Sequence, residues 1–163
     1  MTYSRAVTSH PPISIRRATP EDAVAILDCL GTSFEPYREQ YTPDAFADTV
    51  LSRETIGQRL AAMAVLVATT GDGEVIGTIA CNVVGGGEGH IRGMAVLPNW
   101  QGRGVSEQLL AAAEAELRRS GCSWVSLDTT RYLGRAIRFY EAHGYRRTDK
   151  VGDFFGMEVL EYT

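Results

Sequence analysis

The sequence predicts an α/β (α+β) chain of one domain, built on a central mixed, mostly antiparallel sheet flanked by about four helices. Three observations carry this expectation. Apolar runs of strand length alternate with runs of helical period, in the order βααββββαβαββ or close to it. A strand-like run at 91–97 leads through Pro98 and the glycines at 102 and 104 into a strongly helical run from Val105. Finally, 163 residues with 44% apolar and 22% charged content suit one soluble domain with one sizeable core.

Taken in order, residues 1–12 are polar and end in His10-Pro11-Pro12, where proline forces extended backbone. They read as a disordered or loosely docked tail, which leaves 13–163 as the domain. Residues 13–17 alternate as a short strand. Thr19-Pro20-Glu21-Asp22 then starts a helix, with Thr as N-cap, Pro at the first position and acids in the first turn. Ala23, Ile26, Leu27 and Leu30 recur at helical spacing, and Gly31 reads as the stop. Residues 32–51 are irregular and rich in aromatics: Phe34, Tyr37, Tyr41 and Phe46. Pro43 opens a short helix there, and a further helix over 53–62 is capped by Ser52, with Ile56 and Leu60 turned inward.

Residues 64–68 and 75–84 read as a hairpin around Gly71-Asp72-Gly73. Gly85-Gly86-Gly87 leads into the next strand, 90–97. The apolar alternation slips within that strand, and a bulge near Gly93-Met94 accounts for the slip. Val105, Leu109, Ala112, Ala113 and Leu117 form the stripe of a long helix that Ser120-Gly121 ends. A strand at 124–129 follows, then a helix with Leu133, Ala136, Ile137 and Tyr140 on one face, stopped at Gly144. Strands at 145–148 and 157–162 close the chain around residues 152–156.

Several function classes are disfavoured on composition alone. A net charge of −4 argues against a general nucleic-acid binder. The longest apolar run, 61–68, is far short of the roughly 20 residues that span a bilayer, so no membrane partner is expected. No basic-then-apolar leader opens the sequence. Cys29, Cys81 and Cys122 are scattered and lack CxxC spacing, which points away from a disulfide framework and from any metal site. The expected compartment is the cytoplasm.

The stretch 96–110 carries the chemistry. A strand end, two close glycines and a helix start gather backbone N–H groups into one concavity at the positive end of a helix dipole. The implied guest is a phosphate or pyrophosphate. No Lys follows Gly104, so a Walker loop fails, and Glu107 stands where the last glycine of a dinucleotide fingerprint would be. The pattern Q/R-x-x-G-x-G/A is met by Gln101 and Gly104, with Ser106 in the last place. Further on, Ala136, Phe139, Tyr140, Gly144 and Tyr145 spell A-x-x-F-Y-x-x-x-G-Y.

Together these motifs resemble the GNAT superfamily of acetyl-CoA-dependent N-acetyltransferases, closely over residues 74–148 and more loosely from Ile13 to the C-terminus. The resemblance implies a GNAT-like acyl-CoA N-acyltransferase fold and transfer of acetyl from the CoA thioester to a primary amine. That transfer would be a direct attack through a tetrahedral intermediate, without metal. It assigns the pyrophosphate to Gln101, Gly102, Arg103, Gly104, Val105 and Ser106, and the pantetheine arm to the main chain of Met94, Ala95 and Val96. Arg103 and Arg131 are candidates to add charge near the phosphates. Tyr140 takes the place of the acid that protonates the departing thiolate. Glu88 and His90 lie nearest in sequence to the place of the general base. Phe34, Tyr37, Tyr41 and Phe154 are expected to line the acceptor site. Leu133 stands where many relatives, including ribosomal-protein acetyltransferases, carry Asn, which favours a small-molecule amine over a peptide. A protein or peptide amine, a non-catalytic acyl-CoA-binding or sensor domain, and a homodimer remain open at this point.

Overall fold

The computed structural model describes residues 12–163; of the expected N-terminal tail, residues 1–11 lie outside the described residues. Seven strands and five helices follow one another as β1 (Ser14–Arg17), α1 (Ala23–Phe34), α2 (Pro43–Val50), α3 (Arg53–Ala62), β2 (Ala64–Thr69), β3 (Val75–Gly85), β4 (Glu88–Val96), α4 (Val105–Arg119), β5 (Trp124–Thr129), α5 (Gly134–Ala142), β6 (Arg147–Phe154) and β7 (Met157–Tyr162). The strands form one mixed sheet in the order β1-β2-β3-β4-β5-β7-β6. Its one parallel pair is β4 with β5, and the other ladders are antiparallel.

The expected order needs three corrections. Three strands, not four, separate α3 from α4, and three helices precede them, because Thr42 caps α2 by accepting from Ala45 N at 3.2 Å and makes it a helix of its own. Helix α1 does not stop at Gly31 but runs on to Phe34. A glycine inside a helix costs about 1 kcal/mol, and packing of Ile26, Cys29 and Leu30 against the sheet outweighs it. The strand expected at 145–148 begins at Arg147 and extends to Phe154. It turns tightly into β7 at Phe155 and Gly156, both with positive φ (50° and 82°), as a two-residue hairpin of primed geometry requires. Phe155 tolerates that backbone because Thr42 Oγ1 donates to its carbonyl at 2.7 Å, tying the hairpin to the start of α2.

Apolar side chains fill both faces of the sheet. Helices α4 and α5 cover one face through Leu109, Leu110, Ala113, Leu117 and Tyr140. Helices α1 and α3 cover the other through Ile26, Leu30 and Ile56. Asp22 anchors the start of α1 to β1 by accepting from both terminal nitrogens of Arg16, at 2.7 and 2.8 Å. The opposite end of the same helix thereby carries Ser33 and Phe34 to the middle of the sheet.

Two features of β4 set the site. Thr78 faces Ala95 but Ala80 faces Arg92, so β4 holds one residue more than β3 across that interval. This is a bulge at Gly93-Met94, and Gly93 takes φ +63°. In addition, β4 pairs with β5 only from Glu88↔Trp124 to Ile91↔Leu127. Past the bulge the two strands part, and the sheet opens a cleft at its centre.

Candidate active site

The cleft between β4 and α5 holds about 320 Å³ and is floored by Met94, Ala95 and Val96. Leu97 N donates to Ile76 O at 2.9 Å, so alternation along the antiparallel strand turns the main-chain groups of Val96 to the edge that β5 has left. The Val96 carbonyl accepts from Ser33 Oγ (3.2 Å) and from Gln101 Nε2 (3.1 Å).

At the mouth of the cleft, Gly102 and Gly104 both hold left-handed φ, +75° and +82°. Gly104 is the N-cap of α4, and a glycine brings no side chain to the cap. The first helical bond is Gln108 N to Gly104 O at 3.2 Å, so the amides of Val105, Ser106 and Glu107 belong to the turn that the helix itself leaves open. Those three residues line the cleft. Open amides, a concave turn and the positive end of a fifteen-residue helix form an anion cradle.

The side chains around the cradle divide differently from expectation. Gln101 bridges two elements: besides holding Val96 O, its Oε1 accepts from Arg135 Nη1 at 2.7 Å. Among the described residues, Arg135 of α5 is the cation that lines the cleft. Arg103 instead lies over the Trp100 ring, 5.1 Å from its centroid, and Arg131 pairs with Glu158 at 3.4 Å. In the sequence Arg135 carries no signal, because it stands on the polar side of the α5 pattern.

A second cavity, about 210 Å³, opens on the other side of Phe34 and Leu133, which line both spaces. Phe34, Tyr41 and Phe154 line it, whereas Tyr37 lines the first cleft. Tyr41 packs edge-on against Phe34 (6.3 Å) and Phe46 (6.1 Å), and burial pushes its hydroxyl pKa up to about 12. The polar lining comes from distant parts of the chain: Arg59 of α3, His90 and Arg92 of β4, Asp128 and Thr129 of β5. Besides His90, one of these carries a signal in the sequence. Arg59 stands three residues after Ile56, on the inward face of α3, where a charge is out of place.

His90 is held in a chain of hydrogen bonds. Ser126 Oγ donates to Glu88 Oε1 at 2.6 Å, and His90 Nδ1 lies 2.9 Å from Ser126 Oγ. With the serine proton committed to Glu88, Nδ1 must be the protonated nitrogen, which leaves Nε2 bare. Nε2 lies 3.9 Å from Asp128 Oδ2. Burial lowers the His90 pKa below its ordinary 6.5, with Arg92 adding to the fall and Asp128 opposing it, so the ring is neutral near pH 7. Burial raises the pKa of Asp128. Glu88 lines neither cavity, and its hydrogen-bond route to His90 runs through Ser126.

Tyr140 follows Phe139, which lines the first cleft, and is itself 7% exposed. It packs edge-on between Phe139 (5.3 Å) and Tyr145 (5.7 Å). Burial, with Tyr145 next, drives its pKa well above the usual tyrosine value, so its hydroxyl keeps its proton. Among the described residues no group of three or more His, Cys, Asp or Glu is placed to hold a metal, and no helix is long and apolar enough to cross a membrane.

Comparison with known proteins adds relatives to this geometry. The chain is 34% identical over 146 residues to the aminoglycoside N(6')-acetyltransferase type 1 of Stenotrophomonas maltophilia, covering 85% of this chain and 89% of the relative. It is 29% identical over 144 residues to the aminoalkylphosphonate N-acetyltransferase of Salmonella typhimurium, covering 85% and 88%. Among solved structures, the PaiA N-acetyltransferase of Thermoplasma acidophilum, in complex with coenzyme A, shares the fold with a TM-score of 0.76 at 18% identity, over 92% of this chain and 98% of that one. Residues 24–145, well over half of the chain, match the family model described as the Acetyltransferase (GNAT) family. The chain belongs to that family and is an acyltransferase with acetyl-CoA as its co-substrate.

Proposed function

We propose that the enzyme acetylates the primary amine of a small molecule seated in the second cavity, with His90 as the general base. The observation that carries this reading is the meeting of the two cavities at Phe34 and Leu133, with a neutral histidine in the wall of the smaller one. A space of about 210 Å³ suits a small amine. Two relatives are named for small-molecule amine acceptors, an aminoglycoside and an aminoalkylphosphonate. Three free cysteines agree with a reducing compartment such as the cytoplasm.

In this reading the amides of Val105, Ser106 and Glu107 bind the pyrophosphate of acetyl-CoA, and Arg135 adds charge beside them. The main chain of β4 past the bulge pairs with the pantetheine arm, and an N–H there faces the thioester oxygen as it gains charge. His90 Nε2 takes the proton of the attacking amine. The imidazolium so formed is stabilised through Nδ1–H to Ser126 and on to Glu88, and by Asp128 across 3.9 Å. The ring needs no reorientation, because the serine already holds it. Tyr140 supplies a proton to the departing CoA sulfur.

The reading is tested by free-thiol release from acetyl-CoA against a panel of small primary amines. Acceptor-dependent release is expected, and release no faster than the hydrolytic background with every amine would overturn it. A thiol of pKa about 8.5 leaves with modest help near neutrality, so Tyr140→Phe is expected to lower kcat by roughly 10², the low end for proton transfer. The Kd of acetyl-CoA should stay near that of the wild type. A mutant with unchanged kcat would assign Tyr140 to packing between Phe139 and Tyr145.

A further inference from the structure

Arg59 lines the acceptor cavity but takes no part in the proposed transfer. It is 9% exposed, and Asp48 O, 3.3 Å from Nη2, is its one hydrogen-bond partner among the described residues. The Asp48 carboxylate does not face it alone, since Arg92 Nη2 already holds Oδ2 at 2.7 Å. A Cβ at position 93 would lie 2.9 Å from Arg59 Nη1, so the guanidinium sits against the β4 bulge, in space that only glycine leaves open. Burial lowers its pKa to about 10, and the group stays charged at neutral pH. A buried guanidinium ordinarily has a carboxylate of its own, because its five donors are costly to leave unmet. Here the remaining donors have the cavity. A second polar atom there also lacks a partner: Thr129 Oγ1 is buried with no hydrogen bond among the described residues.

We infer that the acceptor is a small zwitterion, a primary amine that also carries an oxyanion (a carboxylate or a phosphonate), with the oxyanion held by Arg59 and assisted by Thr129 Oγ1. The amine is then presented to His90 and Asp128. This inference rests on the amine-acetylation reading above. Charge balance favours such a guest. Arg59 and Arg92 are offset by Asp48 and Asp128, so an amine with its own acid preserves neutrality in the cavity. A polycation would bring unmatched ammonium groups beside two guanidiniums. A simple alkylamine would desolvate Arg59 and return nothing to it. Carboxylate and phosphonate both match the guanidinium fork, and the choice between them is left to the assay.

The experiment compares matched acceptors by thiol release: β-alanine and 2-aminoethylphosphonate, against propylamine, ethanolamine and spermidine. At least one acid-bearing amine is expected to exceed the amines without an acid group about 10- to 100-fold in kcat/KM. Which acid wins identifies the oxyanion. Arg59→Gln should bring that ratio toward one. Should Arg59→Gln fail to fold, Arg59→Lys serves, since a point charge without the fork should cut the preference about tenfold. A binding measurement stands beside the kinetics: with CoA present, the preferred acid-bearing amine should raise Tm in the wild type and much less in either variant. Preference for propylamine or spermidine would overturn the inference and leave the amine-transfer reading standing. So would an acid preference that survives in the Arg59 variants. Absence of thiol release with every amine would overturn both.

Discussion

His90→Gln is expected to lower kcat by roughly 10²–10⁴, the range in which a positioned general base contributes. Glutamine keeps much of the side chain's reach and can accept from a neighbour, but it cannot take up the amine proton. The pH profile separates this role from simple packing. A histidine base must be neutral to act, so with His90 in that role activity should be present above its pKa and be lost as pH falls through it. Burial and Arg92 place that pKa below 6.5, against the pull of Asp128, Glu88 and Glu161. The acid limb of kcat, measured at saturating acceptor, should therefore lie below pH 6.5 and vanish in the variant. Ser126→Ala leaves the imidazole in place but releases its tautomer, and should lower kcat about tenfold as a positioning residue does. A limb that persists in His90→Gln, or one that falls as pH rises through the same range, would move the base elsewhere. Asp128, the cavity carboxylate whose pKa burial raises, would then be the next candidate.

The second large effect is expected at the anion cradle. Gly104→Val should weaken acetyl-CoA binding by 10-fold or more, whereas Arg103→Ala should change it less than threefold. The reason is conformational. A Cβ at Gly104 meets nothing within 4 Å, so there is no clash, but φ of +82° is one that a β-branched residue reaches only at a cost of about 1–3 kcal/mol. Relaxing that strain turns the amides of Val105 and Ser106 away from their common focus. Arg103, stacked on Trp100, has no such hold on the loop. Gly104→Asn, which tolerates the left-handed region, should retain more affinity than Gly104→Val. Titration calorimetry of the three variants against acetyl-CoA gives the order directly. A greater loss in Arg103→Ala would show that side-chain charge, not the main chain, binds the pyrophosphate.

The two predictions draw on different levels of the molecule. The cradle is local: one strand end, two glycines and one helix start within about fifteen residues fix its geometry. Short-range rules that act along the chain therefore suffice to find it, and Gly104 was legible in the sequence. So was the bulge at Gly93-Met94, because the alternation of apolar residues on β4 slips where the extra residue enters. The tight turn at Phe155-Gly156 was not legible, since a phenylalanine with positive φ is unexpected until Thr42, more than a hundred residues earlier, holds its carbonyl.

Sequence alone determined the fold class, most of the elements, the family motifs and the glycine turn ahead of α4, since these follow from hydrophobic period and from the backbone demands of glycine and proline. Only the tertiary structure decided the polar lining of the second cavity. It set Ser126 between Glu88 and His90, put Asp128 beside the free imidazole nitrogen, and buried Arg59 against a glycine bulge. It also gave Gln101 to Val96 and Arg135. The physical reason is separation along the chain. Charge, burial and tautomer depend on neighbours brought in from α3, β4 and β5, and a residue's own type and local period say nothing of which atoms will surround it.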